Sequence, residues 1–137
     1  MDKTQFTKFV NSAGGIIVNQ KNQVAIIKMP DNDWGFPKGS IDEGGSHLTA
    51  AKREVYEETG LADLKMVKEF EPYQRPNGSD PQELKTIYMF LFRTSQEELK
   101  SIEPDVIEAK WVNKDKVTTV LTYPKDIEFF EKIKSEL

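Results

Sequence analysis

Glu54, Glu57 and Glu58 stand at positions i, i+3 and i+4 of the segment 53–58, REVYEE. A helix turns about 100° per residue, so the three carboxylates project within one sector of about 100°. Leu48, Ala51, Val55 and Thr59 recur at helical spacing on the neighbouring face, about 100° round from Glu54. The segment therefore predicts a helix with one face for a core and an adjacent face of three acids. Like charges this close repel and cost stability. A hard divalent cation would offset that repulsion, because Mg²⁺ takes oxygen ligands and is held by a few carboxylates together with substrate phosphates. Standing alone, the same pattern also fits an acidic helix face turned to water.

Composition removes the competing chemistries. The chain has 137 residues, no cysteine and one histidine, His47. Disulfides, thiolate zinc sites and cysteine nucleophiles are excluded, and a serine triad or histidine-rich metal site has little to draw on. Lys and Arg total 19 against 23 Asp and Glu, a net charge of −4. That balance argues against sequence-independent nucleic-acid binding, which needs a basic surface. No apolar run approaches the roughly 20 residues that span a bilayer. The start, Met1-Asp2-Lys3-Thr4, has no apolar leader, so the expected address is cytoplasmic. The length suits one domain over 1–137.

The acids keep informative company. Gly39, Arg53, Glu54, Val55, Glu57, Glu58, Gly60 and Leu61, at the spacing they have here, resemble the signature box of the Nudix hydrolases. That box reads Gly, then Glu, then Arg-Glu-aliphatic-x-Glu-Glu-x-Gly-aliphatic. One defined position departs: the first glutamate falls at Gly45, with Asp42 and Glu43 just before it. Positions 34–39, WGFPKG, resemble the stretch that precedes the box in the nucleoside-polyphosphate branches of the family. Ala13-Gly14-Gly15 resembles its opening strand. Positions 108–112, EAKWV, and 121–124, LTYP, resemble its C-terminal part.

The resemblance implies an α/β (α+β) fold, a Nudix-type α/β/α sandwich with a mixed sheet and a loop-helix-loop metal site. It implies Mg²⁺ or Mn²⁺ held by Glu54, Glu57, Glu58 and the Gly39 carbonyl, with Arg53 orienting Glu57 through a charge-assisted hydrogen bond. The reaction implied is water attack on phosphorus in a nucleoside diphosphate-linked substrate, with a carboxylate taking the proton. That carboxylate is a glutamate of the box helix or an acid of a later loop. The loop offers Glu103, Asp105 and Glu108; Glu108 is placed first, although an exposed strand residue would look the same. The branch resembled, MutT-like and dinucleoside polyphosphate hydrolase-like, implies a dinucleoside polyphosphate or a normal or oxidised nucleoside triphosphate as substrate. Lys38, Lys28 and Arg75 are candidates for its phosphates, with Lys85 and Arg93 adding positive potential. Tyr88, Trp34, Phe36 and Tyr73 are candidates to stack on a base, unless they are core. His47 reads as a surface histidine. The partner expected is a small nucleotide or polyphosphate, not nucleic acid or membrane, with a monomer or homodimer as the assembly. The rival is a non-catalytic Nudix-like nucleotide-binding or regulatory domain, supported by Gly45 alone. Three retained, crowded carboxylates speak against it.

The elements that must position these residues follow from pattern. Positions 13–18 (AGGIIV) and 24–29 (VAIIKM) are predicted strands, apolar enough to be buried on both faces. The Gly- and Pro-rich stretch 34–45 is predicted to be a loop. The acidic helix should run over 46–59, with Ser46 as N-cap and Gly60 as its stop. Positions 64–73 read as a strand, 74–81 as a turn, and 84–92 (LKTIYMFLF) as the strongest strand. A strand over 105–112 and a closing amphipathic helix from Pro124 complete the order.

Overall fold

The computed structural model describes residues 3–137. Met1 and Asp2, where the expectation of no apolar leader begins, lie outside them. Strands β1 (Lys8–Val18) and β2 (Gln23–Met29) are followed by two short strands, β3 (Asp33–Gly35) and β4 (Lys38–Ser40). Helix α1 spans His47–Thr59. Then come β5 (Lys65–Glu69), β6 (Tyr73–Asn77), the long β7 (Asp80–Arg93) and β8 (Glu108–Asn113). A single helical turn, α2 (Val117–Val120), precedes α3 (Pro124–Ile133).

The eight strands form one mixed sheet. β1 and β7 run parallel along its centre, in register from Lys8 opposite Glu83 to Val18 opposite Arg93. The other pairings are antiparallel: β1 with β2 and β4, β2 with β3 and β8, and β7 with β5 and β6. Alternation along the strands sorts the side chains into two layers. Ile16, Val18, Val24, Ile26, Ile87, Met89 and Leu91 face α3 and meet Phe129, Phe130 and Ile133. Ala13, Ile17, Ala25, Phe90 and Phe92 face α1 and meet Ala50, Ala51 and Val55. Helices on both faces explain why 13–18 and 24–27 carry no polar side chain: these residues are buried on both faces, and only Lys28 and Met29 at the end of β2 are half-exposed. Burying each such Val, Ile or Phe contributes about 1.5–3 kcal/mol. The architecture is the α/β/α sandwich with a mixed sheet that the resemblance implied.

Helix α1 begins and ends where its sequence signals put it. The Ser46 hydroxyl accepts the Thr49 N–H at 3.3 Å. Gly60 takes φ 78°, the left-handed conformation that stops the helix, and donates its N–H to the Tyr56 carbonyl. Other boundaries move. The predicted loop 34–45 contains most of β3 and all of β4, because Lys38, Gly39 and Ser40 find partners on β1 at Gly14, Ala13 and Ser12. The predicted turn 74–81 is mostly strand: Tyr73–Asn77 lies against β7, and only 78 and 79 turn. The strand predicted over 64–73 stops at Glu69 and resumes at Tyr73, with Pro72 in the break. The strand predicted over 105–112 starts only at Glu108, and α2 was not anticipated. In the first two cases strand pairing, β4 on β1 and β6 on β7, outweighs local turn chemistry. Among the described residues no helix is long and apolar enough to cross a membrane.

Candidate active site

The acidic face of α1 lies against β4. Gly39 is the close-packed point: a Cβ there would stand 2.2 Å from the Glu54 carboxylate. The Arg53 guanidinium bridges two of the acids, 3.2 Å from Glu54 and 3.6 Å from Glu57, and donates to the Ser40 carbonyl at 3.3 Å. Glu58 turns inward. It is buried and accepts the backbone N–H of Lys38 at 2.9 Å. Burial raises its carboxyl to about 8, with the charges of Glu54 and Glu103 adding to the effect. Burial also raises Glu54, and Glu57, Glu103 and Asp42 push it the same way. Asp42 belongs to the turn that holds Gly45, whose N–H bonds the Asp42 carbonyl at 2.8 Å. An acid just upstream thus exerts its charge where the missing box glutamate would belong.

The loop after β7 is tied to the end of α1. The Glu57 carbonyl accepts the N–H groups of Ile102 and Glu103 at 2.9 and 3.0 Å, and the Ser101 hydroxyl at 3.3 Å. This brings Glu103 into the field of both Glu54 and Glu58. Glu108, placed first from sequence, instead lies exposed on β8, opposite Lys28. Of the loop acids, the one whose charge reaches these two box carboxylates is Glu103.

Beside Glu58 and Gly39 opens a cleft of about 330 Å³. Three cations line it: Lys38, Arg75 and Lys85. Lys38 is pulled down to about 8 by burial, against the favourable field of Asp126 and with the repulsion of Arg75 and Lys85. Lys85 is lowered by burial and by Arg75. Of the four residues predicted to bind substrate, Lys38 and Arg75 meet here. The other two are elsewhere. Lys28 sits over the Trp34 ring, 5.8 Å from its centre. Tyr88 turns to the α1 side of the sheet and packs on His47, ring centres 4.1 Å apart. Phe36 is core, stacked on Phe130, whereas Trp34 lines the cleft.

Three residues of this region escaped sequence reasoning: Asp33, Tyr123 and Asp126. Asp126 is fully buried, accepts the Tyr73 hydroxyl at 2.6 Å and pairs with Arg75 at 3.3 Å. In sequence it looks like an ordinary acid in the first turn of a helix, where the helix dipole favours one. Nothing local marks it as buried.

The donors on α1 are oxygen only, which suits a hard divalent ion, and their charge is relieved by Arg53 alone on the outer side. Among the described residues no three of them are yet gathered closely enough to enclose an ion. The set fits a hard divalent ion in its oxygen chemistry.

Comparison with known proteins bears on the family and the fold. The sequence model of the NUDIX domain matches residues 8–133. A protein of Pelagibacter ubique named RNA pyrophosphohydrolase is 30% identical over 127 residues, 81% of this chain and 80% of that one. A putative 8-oxo-dGTP diphosphatase of Bacillus subtilis is 35% identical over 77 residues, 56% of this chain and 51% of that one. The fold matches a crystal structure of a C. elegans Ap4A hydrolase with a TM-score of 0.79 at 20% identity, covering 93% of this chain and 96% of that one. With its box helix, its sandwich and its length all accounted for, the chain belongs to the Nudix hydrolase family.

Proposed function

We propose that residues 1–137 act as one domain, a metal-dependent pyrophosphohydrolase of nucleoside diphosphate-linked substrates. The preferred substrates are a nucleoside triphosphate, normal or oxidised, or a dinucleoside polyphosphate. The observation that carries this reading is adjacency. A row of carboxylates and a cluster of three cations meet at Lys38, whose backbone N–H bonds Glu58 while its ammonium joins Arg75 and Lys85. A polyphosphate needs both: oxygen ligands for its counter-ion and fixed cations for its remaining charge.

Glu54, Glu57, Glu58 and the Gly39 carbonyl would hold Mg²⁺ or Mn²⁺. Bound there, the ion would neutralise the diphosphate and acidify a water. Arg53 holds Glu54 and Glu57 in place by ion pairs. Glu103, carried to the site by the hydrogen bonds to the Glu57 carbonyl, is our candidate to take the water's proton, in place of Glu108. Lys38 and Arg75 receive phosphate oxygens, Arg75 in a form suited to bidentate contact. Trp34, which lines the cleft, is our candidate to meet a base.

A second reading has its own support. The relative of which this chain spans 80% is named an RNA pyrophosphohydrolase, so a 5′-triphosphate end of RNA belongs among the candidate substrates despite the acidic net charge. Only the end of the strand would need to enter the cleft.

The test is phosphate and pyrophosphate release with Mg²⁺ or Mn²⁺ from nucleoside triphosphates, dinucleoside polyphosphates and a 5′-triphosphorylated oligoribonucleotide. Turnover should vanish with chelator, and Glu57→Gln should lower it by at least about 100-fold. Turnover that persists in chelator, or is untouched by Glu57→Gln, would refute the mechanism.

A further inference from the structure

Arg75 is held on several sides. Its Nε lies 3.3 Å from the Asp126 carboxylate, its guanidinium carbon 4.1 Å from the centre of the Tyr123 ring, and its Nη1 donates to the Pro76 carbonyl at 3.2 Å. Each of these supports is anchored in turn. The Tyr73 hydroxyl donates to Asp126, and the Tyr123 hydroxyl donates to Asp33 at 2.5 Å. Arg75 and Asp126 are almost wholly buried, yet Arg75 still lines the cleft. Arg75 and Asp126 meet as an ion pair: neither Arg75 Nε nor the second oxygen of Asp126 has a hydrogen-bond partner. That oxygen and the Lys38 ammonium lie on the same side of Gly35: a Cβ there would stand 3.9 Å from the oxygen and 3.7 Å from Lys38 Nζ. Asp126 and Glu58 are the buried carboxylates whose fields favour the charged forms of Lys38 and Lys85, which burial and the repulsion of Arg75 disfavour.

We propose that Asp126 and Tyr123 are positioning residues that fix Arg75 as a rigid receptor for the substrate phosphate beyond the one attacked. This rests on the polyphosphate reading above. The attacked phosphate belongs beside the α1 carboxylates. Lys38 joins Glu58 through its backbone N–H, and Arg75 and Lys85, register partners across β6 and β7, line the same cleft. A long arginine pays rotamer entropy when it grips an anion. Here the ion pair and the stack have already removed that freedom, so the fork meets the phosphate preorganised.

The test uses inorganic tripolyphosphate as probe, titrated calorimetrically in chelator, so that no metal and no turnover are involved. Arg75→Gln and Asp126→Asn should each weaken binding by about tenfold or more, the scale of one charge-assisted contact. The double variant should bind about as Arg75→Gln does, because Asp126 acts through Arg75. Losses that add, or unchanged binding in Asp126→Asn, would overturn the proposal, as would a wild type that does not bind the probe. Should Asp126→Asn fail to fold, Tyr123→Leu paired with Arg75→Gln runs the same cycle with the same readings. With a hydrolysed substrate, Asp126→Asn should raise KM and leave kcat largely intact, a split that general loss of structure would not produce. Tripolyphosphate binding that obeys the cycle, in a protein that hydrolyses no nucleotide, would uphold this inference while refuting the pyrophosphohydrolase.

Discussion

In the metal-free protein the buried Glu58 carboxyl is raised to about 8 from a reference of 4.5, and Lys38 beside it is lowered to about 8 from 10.5. The two shifts act on stability in opposite pH ranges. Between pH 4.5 and 8 the folded state keeps a proton on Glu58 that the unfolded state has released, so stability falls as pH rises. Between pH 8 and 10.5 the unfolded state keeps the Lys38 proton that the folded state has lost, so stability recovers. Denaturant unfolding in chelator should therefore show a minimum near pH 8 from this pair. Glu58→Gln, which can still accept the Lys38 N–H, should flatten the acid limb while abolishing turnover. Added Mg²⁺ should stabilise the wild type more at pH 8 than at pH 6, because a ligand must be ionised to bind. An unchanged acid limb in Glu58→Gln would show that Glu58 does not carry this dependence. The carboxylates were legible in sequence because helical period alone puts them on one face. The partners that shift them were not, since Lys38, Glu58 and Glu103 share no local pattern.

At the level of elements, the register of β4 against β1 and the close approach of α1 to β4 set the site. Gly39→Ala would drive a methyl into the Glu54 carboxylate at 2.2 Å. The side chain can swing away, so the fold should survive with a near-native melting temperature. The apparent metal affinity for turnover should drop by about tenfold or more, and an unchanged metal titration would contradict the packing. Gly60→Ala acts differently. It puts a side chain at φ 78° and 2.5 Å from the Lys100 carbonyl. It should cost at least about 1–2 kcal/mol in equilibrium unfolding, and it disturbs the same end of α1 that holds the 101–103 loop. Caps and the helix were readable from residue type, because the Ser46 and Gly60 signals act over one turn. The three-residue strands were not, because Asp33–Gly35 and Lys38–Ser40 have no propensity of their own and exist only through β2 and β1.

At the scale of the whole molecule, the sheet is clamped between α1 and α3, and Phe130 is among its largest fully buried side chains, stacked on Phe36. Phe130→Ala should cost about 3–5 kcal/mol through lost burial and an uncollapsed cavity. A loss under about 1 kcal/mol in denaturant unfolding would mean that the α3 layer repacks freely. Sequence alone determined the box helix and its carboxylates, the two-faced burial of 13–18 and 24–27, and the family, since each depends on periodicity or fixed spacing within one stretch of chain. Tertiary structure alone decided the rest of the site. Lys38, Arg75, Lys85, Tyr123 and Asp126 come from β4, β6, β7, the segment before α3, and α3 itself. They meet because β4 pairs with β1, and β6 with β7, while α3 packs across the same face. The same assembly sent Tyr88 to the opposite face, tied the Glu103 N–H to the Glu57 carbonyl and left Glu108 exposed on β8. Local pattern records what each segment prefers; which segments become neighbours depends on strand pairing and layer packing across the whole chain.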